Sequence, residues 1–116
     1  MINPLLVAAI LLLCHNAVSA QSPCEKVEYA KLKDSSRAEL NVEYCRAMQR
    51  SKLNEDLRKI SNDTFEKQLA IGANTTKTQK DMAAFGDAQI TCLSAAEEAT
   101  SMLSKKFKAK PPVCKN

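Results

Sequence analysis

Five cysteines and one histidine are the side chains here best suited to metal binding or nucleophilic chemistry. Cys14 and His15 lie side by side near the start. They sit behind an unbroken apolar run from Leu5 to Leu13 and before Val18-Ser19-Ala20, a suitable cut site ahead of Gln21. This is the pattern of a secretory signal peptide, and the run is too short for a permanent membrane span. The first four residues carry no Lys or Arg, so a retained interfacial anchor is the competing reading. Lipoprotein processing at Cys14 is disfavoured by Leu13, where a small residue is needed. Cleavage removes the only histidine and leaves Cys24, Cys45, Cys92 and Cys114. Without imidazole the Ser-His-Asp and Cys-His nucleophile systems are absent. Zinc sites need closely spaced cysteine pairs, which these four do not form. Export to an oxidising compartment favours disulfides, and an oxidised cysteine offers no thiolate.

The remaining chemistry would have to come from carboxylates. Glu55-Asp56 and Glu97-Glu98 are adjacent pairs, and neighbours on a helix point about 100° apart, so neither pair converges on one atom. Glu39 and Glu43 share a helical face, with Arg46 and Arg50 nearby, and read as solvated surface. The expectation is therefore a protein that is not an enzyme, with no catalytic, metal-ligating or cofactor-binding residues and no cofactor.

The elements that carry these residues are helical. Ser36-Arg37-Ala38-Glu39 is a capping-box sequence, with a hydroxyl at the N-cap and Glu at N3. A short helix is expected from about Glu25 to Lys33 and a longer one from Arg37, with Leu53, Leu57 and Ile60 on one face. Asp63-Thr64-Phe65-Glu66 reads as a second cap that restarts or bends this helix. Gly72 is a natural C-cap, and Asn74-Thr75-Thr76 a polar turn. In the second half Met82, Phe85, Gln89, Cys92, Ala96, Ala99 and Leu103 form a heptad-type stripe, in which Gly86 costs about 1 kcal/mol relative to Ala. Pro111 and Pro112 end any helix. No segment alternates as a strand. The chain is expected to be all-α, a disulfide-stapled antiparallel hairpin or small helix bundle. It divides into a signal peptide at 1–20, one helical domain at 21–110 and a Pro-Pro-Val-Cys tail at 111–116.

In an antiparallel pair, facing residues have a constant sum of residue numbers. Cys24 with Cys114 gives 138 and Cys45 with Cys92 gives 137, which centres the turn near residue 69. Nested bridges 24–114 and 45–92 would fasten such a hairpin. The local pairing 24–45 and 92–114 is equally symmetric in sequence. Geometry disfavours it: a helix over 92–108 spans about 24 Å, and residues 109–114 reach back only about 20 Å. The nested pairing is preferred, although sequence alone leaves connectivity open.

Charge is unevenly placed. Residues 21–103 carry 12 bases and 13 acids, while five lysines follow the last acid. Lys105, Lys106, Lys108 and Lys110 form a cluster able to touch an anionic lipid or glycan, or simply a solvated helix C-terminus favoured by the macrodipole. Nothing points to a specific nucleic acid. Asn62-Asp63-Thr64 and Asn74-Thr75-Thr76 are N-glycosylation sequons, both expected near the hairpin tip.

Three pieces resemble the lysozyme-inhibitor-like (LprI N-terminal) family of small exported bacterial helical proteins. They are Ala38-Glu39-Leu40-Asn41 with Tyr44-Cys45-Arg46-Ala47, then Leu53-Asn54-Glu55-Asp56-Leu57, then Gln79 through Phe85 with Asp87, Ala88 and Cys92. The resemblance covers about residues 24–103. Met82 stands where that family usually has Trp, Gly86 where it has Arg, and Cys92 falls about two residues late. The resemblance implies a periplasmic location, unused sequons and a role in inhibition or envelope binding. Taken together, the sequence leads to a secreted or periplasmic binding module with a protein partner and no transmembrane anchor after processing. The alternative is a binder of anionic surfaces acting through the lysine cluster.

Overall fold

The computed structural model describes Cys24 and residues 32–115. The expected signal peptide and most of the first expected helix lie outside the described residues; Leu32 and Lys33 are helical and end in a turn at Asp34. Two long helices follow, α1 (Arg37–Ala70) and α2 (Thr76–Phe107), and among the described residues there is no strand. The protein is an all-α helical hairpin.

The start of α1 is the capping box read from the sequence. The Glu39 N–H donates to the Ser36 hydroxyl at 3.1 Å, and the Ser36 N–H donates to the Glu39 carboxylate at 3.2 Å. Two backbone donors that the helix leaves unpaired are satisfied this way. The helix runs for 34 residues, about 51 Å at 1.5 Å per residue. Lys52 bridges to Asp56 at 3.2 Å and Lys59 to Glu55 at 3.2 Å, both one helical turn apart on the exposed face. The hydrogen bond and charge of Asp56 raise the Lys52 pKa. The expected restart at Asp63 does not occur: α1 is continuous, and the Thr64 hydroxyl folds back onto the Ile60 carbonyl at 3.1 Å. A hydroxyl in mid-helix has that carbonyl within reach and need not interrupt the helix.

Gly72 closes α1 as expected. Its φ of +69° lies in the left-handed region. The Gly72 N–H reaches the Leu69 carbonyl at 3.2 Å and the Ala73 N–H reaches Gln68 at 2.9 Å, the Schellman pattern. Asn74 then turns the chain by accepting the Thr76 N–H at 2.9 Å. At its other end α2 closes on Lys108, which takes the left-handed conformation at φ 51° without being glycine. The Ala109 N–H donates to Leu103, and the Ala109 side chain packs on the core beside it.

The core is a seam of small residues between the helices. On α2 the expected stripe is the buried one: Cys92, Ala96, Ala99 and Leu103 are buried, and Met82, Phe85 and Gln89 are half-buried. Opposite it, α1 contributes Leu40, Tyr44, Ala47, Ser51 and Asn54, again at alternating spacings of four and three. Leu53, Leu57 and Ile60 are not the core-facing stripe. They lie beside the seam, with Leu57 half-buried, Leu53 exposed and Ile60 61% exposed. Each stands one residue from the seam row (Asn54, Arg58, Ser61), and one residue is about 100° of rotation on a helix. Ala47 and Ala96 share one buried cluster, Leu40 and Leu103 another, and both pairs of residue numbers add to 143. The turn is therefore centred beside Gly72, two to three residues later than the cysteine sums implied.

Two glycine substitutions should move stability in opposite directions. Gly72→Ala places a side chain at positive φ and should destabilise the hairpin by about 1–2 kcal/mol, lowering the thermal midpoint. Gly86→Ala should stabilise it by about 1 kcal/mol, because a Cβ there meets only Arg58 Cδ at an ordinary 3.8 Å. Circular-dichroism melts of the oxidised protein check both. The Glu39 carboxyl is held below the usual carboxylate range, first by the Ser36 N–H, then by its hydroxyl, with a contribution from the Lys106 charge. Its stabilisation is present above the ordinary carboxylate pKa and is lost as pH falls through the lowered value. Denaturant titrations across the acid range should therefore show a shallower loss in Glu39→Gln than in the wild type.

Candidate functional site

Cys24, Cys45, Cys92 and Cys114 are all in disulfides, but in neither expected pairing. Cys24 is bonded to Cys92 and Cys45 to Cys114, with Cα–Cα distances of 5.0 and 5.4 Å. The register explains the correction. With facing residues adding to 143, Cys45 lies opposite residue 98, six residues past Cys92. Six helical residues are about 9 Å, beyond the roughly 7 Å that a disulfide spans between Cα atoms. Cys45 also follows the seam residue Tyr44 and so points away from α2. The nested bridge 45–92 is excluded on both counts.

The tail reaches what it can. From the end of α2, the level of residue 98 is about 15 Å back along the helix, within the span of residues 109–114. The tail thus meets Cys45 and stops short of Cys92, which excludes the local 92–114 bridge as well. The Gln49 side chain fastens the same stretch by donating to the Lys115 carbonyl at 2.9 Å. At the other end of the chain, Cys24 is buried with Ala47, Cys92 and Ala96, and Leu32 with Leu40, Met102 and Leu103. The hairpin base is consequently clasped by both terminal segments. Each bridge closes a loop of 68 or 69 residues in sequence separation, worth about 4 kcal/mol singly in the chain-entropy account.

The lysine cluster is divided by the fold. The Lys106 ammonium donates to the carbonyls of Lys33 and Ser35, where the N-terminal helical turn ends, and sits 5.3 Å from the Phe107 ring centroid. Lys106 is therefore a clamp between the end of α2 and the segment before α1. Lys105, Lys108 and Lys110 are exposed. Four carboxylates are engaged in local surface structure: Glu39 in the cap, Glu43 with Arg46 at 3.1 Å, Glu55 and Asp56 with Lys52 and Lys59; of the Glu97-Glu98 pair, Glu97 is exposed and Glu98 Oε2 is buried with no hydrogen-bond partner. Among the described residues no group of three or more His, Cys, Asp or Glu side chains is placed to hold a metal ion.

The sequons are separated too. Asn74 lies in the exposed turn, as expected. Asn62 does not lie at the tip: it is inside α1, eight residues before its end.

Two features escaped the sequence reading. Asn54 is 1% exposed in the seam; its Nδ2 donates to the Arg50 carbonyl at 2.8 Å, and its Oδ1 has no donor. The row Leu53, Leu57, Ile60, which reads in sequence as a core face, leaves Leu53 and Ile60 exposed and Leu57 half-buried, and Ile71, just past the end of α1, is 79% exposed. The signal for both was the longer row from Leu40 to Asn54, whose small and polar members hide it from a search for large apolar residues.

No family model, curated protein or solved structure matches this chain.

The connectivity has a direct check. Proteolysis of the unreduced protein, followed by mass spectrometry, should yield peptides joined 24–92 and 45–114; a 45–92 species as the main product would refute the register.

Proposed function

We propose that this chain is an exported, non-enzymatic binding module that offers the outer face of α1 to a protein partner. The observation that carries this reading is the apolar row Leu53, Leu57 and Ile60 on α1, with Leu53 and Ile60 exposed and Leu57 half-buried, and the exposed Ile71 just past the helix end. Helices with such an unpartnered stripe suit a groove or helical face on another protein. Two intrachain disulfides fit an oxidising compartment, and among the described residues no helix is long and apolar enough to cross a membrane. The local ion pairing of Glu43, Glu55 and Asp56 and the expected loss of His15 with a signal peptide support a binding role over catalysis. An inhibitor-like role, in the periplasm or secreted, is the finer form of this reading and rests on the sequence resemblance alone.

A second reading draws on the exposed Lys108 and Lys110, held on a tail that the Cys45–Cys114 bridge fixes to the body. It makes the protein a binder of anionic lipid or glycan through charge, with affinity that falls steeply as salt screens the lysines.

Capture from the native compartment at moderate salt separates the two. The oxidised protein should retain a partner, and Leu53→Lys with Ile60→Lys should weaken retention at least tenfold while leaving the melt unchanged, since both residues are exposed. Lys108→Glu with Lys110→Glu should leave retention intact. The first reading falls if the stripe variant still binds, or if the protein retains nothing and instead turns over a small substrate. Salt-sensitive binding to anionic vesicles, lost in the lysine variant, would establish the second.

A further inference from the structure

The two sequons are equivalent in sequence and unlike in structure. Both asparagines are exposed, so accessibility does not distinguish them. Conformation does. Transfer of a glycan requires the acceptor segment to leave regular structure and enter the transferase with its Asn carboxamide and its Ser or Thr hydroxyl presented together. Asn62 lies within continuous α1, and the hydroxyl of its sequon partner Thr64 is bonded to the Ile60 carbonyl at 3.1 Å. Presenting it means breaking helical hydrogen bonds on both sides of the site, against helix cooperativity. Asn74 stands between the helices. Its Oδ1 accepts the Thr76 backbone N–H at 2.9 Å, which places the carboxamide and residue 76 side by side in an exposed turn. A Cβ at nearby Gly72 would have nothing within 4 Å, so the tip has open space around it. The Cys45–Cys114 bridge lies toward the other end of the hairpin, and Cys24–Cys92 joins α2 near its middle, about 24 Å from its start, so both are remote from this turn.

We propose that Asn74, and not Asn62, is the N-linked glycan acceptor of this protein. The donor class is a lipid-linked oligosaccharide pyrophosphate. The sugar C1 forms a bond to Asn74 Nδ2, its bond to the pyrophosphate oxygen breaks, the lipid pyrophosphate departs, and the carboxamide nitrogen gives up one proton. A glycan at the tip would cap the hairpin end while leaving the disulfide-clasped base uncovered. The inference rests on the export reading and is independent of the bacterial family resemblance, which would leave both sequons unused.

The full chain, and a second version with residues 1–20 replaced by a proven secretion leader, are translated with endoplasmic-reticulum microsomes. Protease protection reports translocation, and peptide N-glycosidase sensitivity reports the glycan. One glycan per protected chain is expected. Asn74→Gln and Thr76→Ala should abolish it, Thr76→Ser should restore it, and Asn62→Gln should have no effect. Thr76→Ala keeps the backbone N–H that bonds Asn74, so its loss of glycan cannot be ascribed to a lost turn. Failure of the native chain to enter, with the leader-carried chain glycosylated at Asn74, would remove the export reading and leave the acceptor assignment standing. A protected leader-carried chain without glycan, or one whose glycan follows Asn62, would overturn the assignment. In protein recovered from the secretory pathway of its own source, glycosidase release should convert Asn74 to Asp in the recovered peptide; an unmodified Asn74 in that translocated protein would overturn the assignment equally.

Discussion

The left-handed turn at Gly72 sets which residue of α1 faces which residue of α2, and the remainder of the molecule is arranged around that register. A chain reversal closed by a Schellman pattern admits little slippage, because the Gly72 and Ala73 N–H groups each have one carbonyl to meet. From that fixed end, the pairs Ala47 with Ala96 and Leu40 with Leu103 fall opposite one another about seven and nine helical turns away, in a seam narrow enough for alanines to fill. The same register holds Cys45 and Cys92 too far apart to bond. Their partners must then come from outside the hairpin, and the two terminal segments supply them.

The consequence is a molecule with two unlike ends. At the base, Leu32 and Ala109 pack against the helix pair beside the buried Leu40, Met102 and Leu103; the Cys45–Cys114 bridge fastens the tail there, and Cys24–Cys92 ties the N-terminal segment on farther along, at the middle of α2. Toward the turn the large seam side chains Phe65, Met82 and Phe85 are only half-buried, and the buried ones are small: Ala88, and Thr78, whose hydroxyl donates to the Gln68 side chain at 2.7 Å. Stability thus comes chiefly from the clasped base, and the arm is held by helix continuity and by the cap at Gly72. An arm of this kind can expose Leu53, Ile60 and Ile71 without forfeiting the fold, since the buried area that sustains it lies elsewhere.

Electrostatics follow the same division. The ion pairs of α1 are exposed ladders within one helix, of a kind that contributes little to stability. Lys106 is different, because its ammonium satisfies two carbonyls at the end of a helical turn and joins two parts of the chain that are distant in sequence. A cluster that reads as uniform positive charge contains one lysine that acts structurally.

Local signals were legible in the residues. The capping box at Ser36, the reversal at Gly72, the α2 stripe and the oxidised state of Cys24, Cys45, Cys92 and Cys114 each depend on neighbours within a turn or two, or on the absence of closely spaced ligands. Other features were out of reach. The disulfide partners, the choice between two stripes on α1, the role of Lys106 and the helical setting of Asn62 all depend on the difference between long-range distances. A shift of six residues in register exchanges one pairing of cysteines for another, and every local preference is unchanged by that shift. Sequence by itself therefore determined that this is a disulfide-bonded helical hairpin. Only the packing of α1 on α2 decided which face is buried, which cysteines meet and which apolar row is left for a partner, because those depend on where the two helices stop sliding past each other.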